Sequence, residues 1–188
     1  MQTEIHHTLL DISPDEWDAL NQDGNPFTSY AFLSALEESG CIGGESGWLP
    51  RYLLIWDKKG TLAGALPMYE KHHSWGEYVF DWAWANAWQQ CGQAYYPKLI
   101  IAVPFSPVSG YRFLVSAGQE KEQTRKDLLQ AAIDYAKKEA CSSLHCLFPT
   151  HHECELLQQQ GLLIRHDVQF HWKNHGYVNF REFLATMN

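Results

Sequence analysis

Apolar and polar positions along the chain switch between a period of two and a period near 3.6, and each switch marks an element. Residues 4–10 read as an edge strand. Ser13-Pro14-Asp15-Glu16 then offers a cap, a first-turn proline and a capping-box acid ahead of Trp17 and Leu20, so a short helix follows. Thr28 stands where a cap is needed for a second helix, in which Tyr30, Phe32, Leu33 and Leu36 form a stripe that ends at Gly40. Residues 51–56 and 62–69 flank Asp57-Lys58-Lys59-Gly60, a turn with glycine where positive φ is wanted, and predict a hairpin apolar enough to be central.

Residues 98–103 predict a buried strand, and residues 122–140 a long helix with Leu128, Leu129, Ala132, Ile133 and Ala136 on one face. Residues 144–148 are again strand-like, residues 151–160 helical up to Gly161, and residues 162–167 and 168–172 predict a closing strand pair. The order is strand, two helices, three strands, helix, strand, helix, two strands. It implies an α/β (α+β) domain with a mixed, mostly antiparallel central sheet flanked by helices. Residues 179–187 repeat Phe180, Phe183, Leu184 and Met187 at helical spacing without a C-cap, so they predict a terminal helix whose apolar stripe needs a partner surface. Self-association through that helix is one expectation.

The bulk properties narrow the class. A chain of 188 residues, 45% of them apolar, can bury one sizeable core. A net charge of −8 and a pI near 5.6 argue against a generic nucleic-acid or anionic-membrane binder and leave room for a cationic or zwitterionic partner. Cys41, Cys91, Cys141, Cys146 and Cys154 form no C-x-x-C pair, as suits reduced thiols in a cytoplasm. The longest apolar run covers only residues 99–105, so neither a signal peptide nor membrane insertion is expected, and a cytoplasmic location is.

Chemistry concentrates in residues 76–112, GEYVFDWAWANAWQQCGQAYYPKLIIAVPFSPVSGYR. Glu77, Asp81, Lys98 and Arg112 are interleaved there with Tyr78, Tyr95 and Tyr96, the blend of flat walls and polar anchors that a small-molecule or peptide substrate needs. If residues 77–81 are extended, Glu77 and Asp81 share a face, where either can serve as a base or pair with Lys98 or Arg112 in a buried network. His145 and His171 lie within strand-like runs, as core imidazoles or as groups lining the same cleft. Trp82, Trp84 and Trp88 fall in this region and invite sugar stacking, whereas Trp17, Trp48 and Trp56 are read as packing. No zinc spacing, nucleophile elbow, phosphate-binding Walker loop or dinucleotide fingerprint is present, so no metal is expected.

Together with SSLHCLFP at 142–149, QFHWKNHGY at 169–177, Asn25-Pro26-Phe27, Gly47-Trp48-Leu49-Pro50 and Phe180-Arg181-Glu182-Phe183-Leu184, this stretch resembles the FemAB-like, peptidoglycan biosynthesis/recognition, branch of the GNAT acyltransferase superfamily. Such proteins are about twice as long, so the resemblance implies a GNAT-like N-terminal domain over residues 1–178, with 179–188 the start of a helix into a second, similar domain. It implies transfer of an activated acyl or aminoacyl group to an amine such as a cell-wall peptide, from an aminoacyl-tRNA or acyl-CoA donor held through the second domain. A non-catalytic peptide or glycopeptide recognition domain is the alternative. GNAT enzymes cradle the pyrophosphate of acetyl-CoA in a glycine-rich loop after the fourth strand; here that place holds residues 104–112, PFSPVSGYR, with two prolines and one glycine. Acetyl-CoA bound in that manner, or any other cofactor, is therefore not expected in this half.

Overall fold

The computed structural model describes residues 1–79, 81–118 and 120–187. In chain order its elements are β1 (Gln2–His6), α1 (Pro14–Asp18), a 3-10 turn at Pro26–Thr28, α2 (Tyr30–Glu38), β2 (Trp48–Pro50), β3 (Tyr52–Trp56), β4 (Leu62–Leu66) and β5 (Met68–Lys71). There follow α3 (Trp82–Gln90), β6 (Lys98–Ile101), β7 (Leu114–Val115), α4 (Lys121–Lys138), β8 (Leu144–Cys146), α5 (His151–Gln159) and α6 (Phe180–Leu184).

The predicted hairpin is the spine of the molecule. Asp57 accepts from the backbone N–H groups of Lys59 and Thr61 at 2.8 and 2.9 Å, and Gly60 takes the positive φ of +78° that closes the turn. Each arm is interrupted once, at Arg51 and at Pro67, so the hairpin passes from one four-stranded sheet, β1-β3-β4-β7, into a second, β2-β5-β6-β8. Pro67 has no N–H to give to a ladder, which explains a break there, and Arg51 N–H donating to Met68 O at 2.8 Å carries the pairing across it. All pairings are antiparallel except β6 with β8, which run parallel.

Strand alternation sorts the core into two layers. Tyr52, Leu54 and Tyr69 face α1 and α2 with Trp17, Leu20 and Leu33, whereas Leu53, Ile55, Leu99 and Ile101 face α4 and α5 with Leu128, Leu129, Leu156 and Leu157. Gly64 lets α4 close on β4, since a Cβ there would stand 2.9 Å from Thr124 Cγ2. Among the described residues no helix is long and apolar enough to cross a membrane.

Three sequence expectations shift. The first strand ends at His6 because Glu37 draws the next residues inward, accepting from Thr8 Oγ1 and Leu9 N at 2.6 and 2.9 Å. Ser29, not Thr28, caps α2; Thr28 is buried in the preceding turn and receives the indole N–H of Trp17 on its carbonyl at 2.9 Å. Residues 162–172 form no strand pair: β8 pairs only with β6, and Leu163, Val168, Phe170 and Trp172 remain exposed. An alternating pattern cannot form a ladder without a neighbouring edge to receive its backbone groups.

Candidate functional site

Antiparallel register on β5 and β6 sets Lys71 opposite Lys98, both fully buried. Like charges facing each other in a core are unfavourable unless answered, and the connection from residue 72 to 81 supplies the answer. Lys98 Nζ donates to Ser74 Oγ at 2.8 Å, to Glu77 Oε2 at 2.7 Å and to Asp81 Oδ2 at 2.5 Å, which uses all three of its protons. Tyr95 donates its hydroxyl to the same Asp81 oxygen at 2.7 Å, and Tyr96 OH shares a proton with Ser74 Oγ at 2.8 Å. Lys71 Nζ reaches Trp75 O at 3.2 Å and sits 3.9 Å from the centre of the Trp48 ring. Asp81 is the N-cap residue of α3 yet caps nothing with its side chain, because its carboxylate is turned inward to Lys98 and Tyr95.

Two acceptors are left over. Glu77 Oε1 and Asp81 Oδ1 are buried without a donor. Burial pushes the Glu77 carboxyl above the ordinary carboxylate range against the pull of Lys98 and Lys71. Burial acts the same way on Asp81, but the hydrogen bonds from Lys98, Ser74 and Tyr95 outweigh it and hold that carboxyl down at about 2. Lys71, desolvated and repelled by Lys98 with Glu77 opposing, drops to about 7, which places one exchangeable proton of the network in the neutral range. The Tyr95 phenol is raised by burial and by the adjacent Asp81 charge.

Aromatic surface lies beside this network. Trp75 is 67% exposed and meets Trp82 edge-on at 5.6 Å, and Phe105, also exposed, lies 5.1 Å from the Trp48 ring. Tyr78 and Phe105 both hold positive φ, +60° and +55°, a strained conformation for bulky residues of the kind that gathers at binding sites. Gly76 makes room for this packing, since a Cβ there would stand 2.6 Å from Phe105 Cδ1. His145, on β8, bonds Ser143 Oγ through Nε2 at 2.8 Å and its ring lies 6.4 Å from Tyr95; burial and the Lys98 charge depress it to about 4, so it is a neutral imidazole.

Arg112 belongs elsewhere. Its guanidinium, wholly buried, donates to the carbonyls of Leu147 at 2.9 Å, Gly110 at 3.1 Å, Tyr111 at 3.4 Å and Val108. The buried Glu153 accepts from the N–H groups of Arg112 and Phe113, each at 2.8 Å, and closes a capping box with Thr150 at the start of α5. These contacts lock residues 108–113 against residues 147–153 after β8, with Gly110 N–H donating to Phe148 O at 3.2 Å and β7 intervening before α4 begins.

A family model described as peptidoglycan biosynthesis/recognition, FemAB-like, matches residues 8–188. The chain belongs to the FemAB-like family. No curated protein matches it. Among solved structures it is similar to an aminoglycoside 6'-N-acetyltransferase from Acinetobacter haemolyticus, with 14% identity, a TM-score of 0.53 and coverage of 93% of this chain and 99% of that one. A counterpart from Acinetobacter baumannii gives 16%, 0.52, 93% and 100%. A ribosomal-protein-alanine N-acetyltransferase from Brucella melitensis biovar Abortus gives 12%, 0.53, 92% and 100%. At such identities the likeness establishes the GNAT fold, in the mixed, mostly antiparallel form that the element order predicts.

Within this FemAB-like chain the structure gathers Glu77, Asp81, Tyr95, Tyr96 and Lys98, with His145 beside them. Tyr78 follows Glu77 but turns outward, half exposed. Arg112 is withdrawn into its own loop, and His171 lies exposed in the 162–172 segment with Gln169 as its hydrogen-bond partner at 3.3 Å. The expected sharing of a strand face by Glu77 and Asp81 is not found; residues 77–79 are not extended as a strand, Tyr78 taking φ +60°, Asp81 is the N-cap residue of α3, and the carboxylates meet because Lys98 draws both in. Lys71 and Ser74 were missed. Lys71 carried a readable signal, a charge in phase with buried Tyr69 at the end of an apolar strand, whereas Ser74 carried none. None of the gathered groups lines the cavities of about 240, 610 and 540 Å³, whose walls are other residues. Among the described residues no three metal-ligating side chains converge.

Proposed function

We propose that this chain is an N-acyltransferase of the FemAB-like kind, passing an activated acyl or aminoacyl group to an amine acceptor such as a cell-wall peptide. The observation that carries this reading is the pair of buried carboxylate oxygens with no donor among the described residues, Glu77 Oε1 and Asp81 Oδ1, in a segment that also carries the Trp75 and Trp82 rings. Acceptor oxygens without donors suit an ammonium group, and aromatic rings carried by the same segment attract one as well. Glu77, with its raised carboxyl, is the group suited to take the proton an amine sheds as it attacks a carbonyl carbon, while Asp81 stays ionised and holds Lys98. The acyl bond breaks to its activating group, which leaves with the electron pair.

The residues of the 104–112 loop do not fit the pyrophosphate of acetyl-CoA in the usual GNAT manner, because Gly110 and Arg112 N–H groups are already engaged and Pro104 and Pro107 have none. The donor in this reading is an aminoacyl-tRNA or another activated acyl group brought by a second domain. Complete burial of Lys98 favours one other reading, a peptide or glycopeptide recognition domain whose network only supports the aromatic surface. The test is calorimetric titration of the protein and its Glu77→Gln variant with an amine-bearing muropeptide and with its N-acetylated form, followed by transfer assays with aminoacyl-tRNA and acyl-CoA donors. Binding that needs the free amine and is lost in Glu77→Gln, with turnover on some donor, supports the transferase; equal binding of both peptides without turnover favours recognition.

A further inference from the structure

Lys71 faces Lys98 across β5 and β6 and is as deeply buried, yet the two ammonium groups are held unequally. Every proton of Lys98 goes to a side-chain oxygen, and two of those oxygens belong to carboxylates. Lys71 Nζ donates to Trp75 O at 3.2 Å, an oxygen that already accepts the indole N–H of Trp48 at 3.1 Å, and it lies 3.9 Å from the centre of the Trp48 ring. Among the described residues no carboxylate pairs with Lys71; Glu77 attracts it through space and Lys98 repels it. His73 faces it from the same connection as Glu77. Burial and the Lys71 charge push that imidazole down, and its Nδ1 accepts from Trp75 N–H at 3.2 Å.

With Glu77 and Asp81 ionised, the cluster holds two buried cations against two buried anions. An ammonium entering at Glu77 Oε1 and Asp81 Oδ1 would make three cations against two anions. An unanswered charge in a core is costly, and a buried group relieves it by changing its protonation. Lys98 is in no position to do so, since its neutral form would strand both carboxylates. A neutral Lys71 still donates to Trp75 O and is freed from the repulsion of Lys98. Desolvated and at about 7, it already stands near the point of release. Resting on the reading that the two donorless oxygens receive the acceptor amine, we infer that Lys71 is a positioning residue of that site, which releases its proton to solvent as the ammonium enters, so that one cation replaces another. The release has a second effect. The Lys71 charge is one of the pulls that lower the Glu77 carboxyl, so its loss lets that carboxyl rise and leaves Glu77 a better acceptor for the proton the amine sheds.

The experiment counts protons. The full chain is titrated calorimetrically with a muropeptide whose free amine is that of a lysine side chain, in buffers of different ionisation enthalpy. About half a proton should leave per amine bound near pH 7, close to one at about pH 6 and none at about pH 8.5, since only the protonated fraction of Lys71 has a proton to give. Affinity should rise about tenfold between about pH 6 and pH 8, a range in which a lysine-type amine stays charged, and then level off. Lys71→Arg keeps a charge that never leaves, so binding should be weak, release no proton and lose its pH dependence. Lys71→Met removes the charge, so binding at about pH 6 should match that at about pH 8, again without release. A merely structural Lys71 would shift affinity by the same factor at every pH. The Cε carbon resonance of Lys71 in the unaltered chain keeps the test decisive if neither variant folds: it should titrate near neutrality and move to its neutral position when the muropeptide is added. Amine binding without proton release, or release undiminished in Lys71→Met, overturns this inference and leaves the amine site standing. Equal binding of the muropeptide and its N-acetylated form overturns both.

Discussion

Arg112 and Lys98, two of the three fully buried basic side chains among the described residues, are satisfied in opposite ways. Arg112 is met by four main-chain carbonyls, and its neighbour Glu153 by three backbone N–H groups and a hydroxyl, so that these bonds fix the course of the 108–113 chain and tie it to Leu147 and to the start of α5. Lys98 is met by side chains, two of them carboxylates that keep one oxygen each without a donor. Charge answered by backbone builds shape and has no capacity left. Charge answered by charge, with acceptors to spare, is poised for a further partner, and that separates a folding device from a candidate site.

The sharpest way to break this comparison is Lys98→Ala. It strands two buried carboxylates and should cost about 3–5 kcal/mol in urea unfolding, seen as a lower midpoint at unchanged slope. A loss under about 1 kcal/mol would mean that the carboxylates neutralise themselves and that the network is not held by charge.

Glu153→Gln comes next, at roughly 2–3 kcal/mol, because an amide nitrogen cannot accept the bonds that one carboxylate oxygen now takes. If the Arg112 region is purely structural, amine binding at the other site stays at the wild-type level in this variant.

The third test is pH. His145 is held neutral in the fold at about 4 against an ordinary 6.5, so the unfolded chain binds more protons between those values. The His145 contribution to stability should therefore be full above pH 6.5 and fall on acidification towards pH 4, by on the order of 2 kcal/mol for a largely buried imidazole. His145→Gln should flatten that slope; an unchanged slope would assign it to other groups.

The smallest stability effect, and the most diagnostic, is expected for Glu77→Gln. Lys98 keeps Asp81 and Ser74, and a carboxyl already pushed up by burial loses little, so the change should stay within about 1 kcal/mol. Amine binding should nonetheless fall by at least about tenfold, measured by calorimetry. A large stability loss with intact binding would reverse the roles assigned to the two regions.

Much of the fold was legible because local rules and tertiary packing agreed. The Asp57-Lys58-Lys59-Gly60 turn, the apolar face of α4 and the Gly161 stop of α5 each encode an element in a few neighbouring residues. The candidate site was legible as a set of residues and not as an arrangement. Glu77, Asp81, Tyr95, Tyr96 and Lys98 stood out as charges and phenols in an apolar stretch, but nothing in that stretch told Arg112 from Lys98, since both are basic and both lie within two residues of a tyrosine.

By itself, then, the sequence determined the first two helices, the central hairpin, β6, α4, β8 and α5, though not α3 or β7, and the concentration of chemistry in residues 76–112, all of which rest on periods and turn chemistry read over a handful of neighbours. Only the tertiary structure decided which cation met which anion. Lys98 found Glu77 and Asp81 from 21 and 17 residues away, Arg112 found the Leu147 carbonyl from 35, and residues 162–172 found no strand edge. Partner choice of this kind depends on which backbone groups remain unpaired once the sheets have formed, and that is a property of the assembled fold rather than of any local stretch of chain.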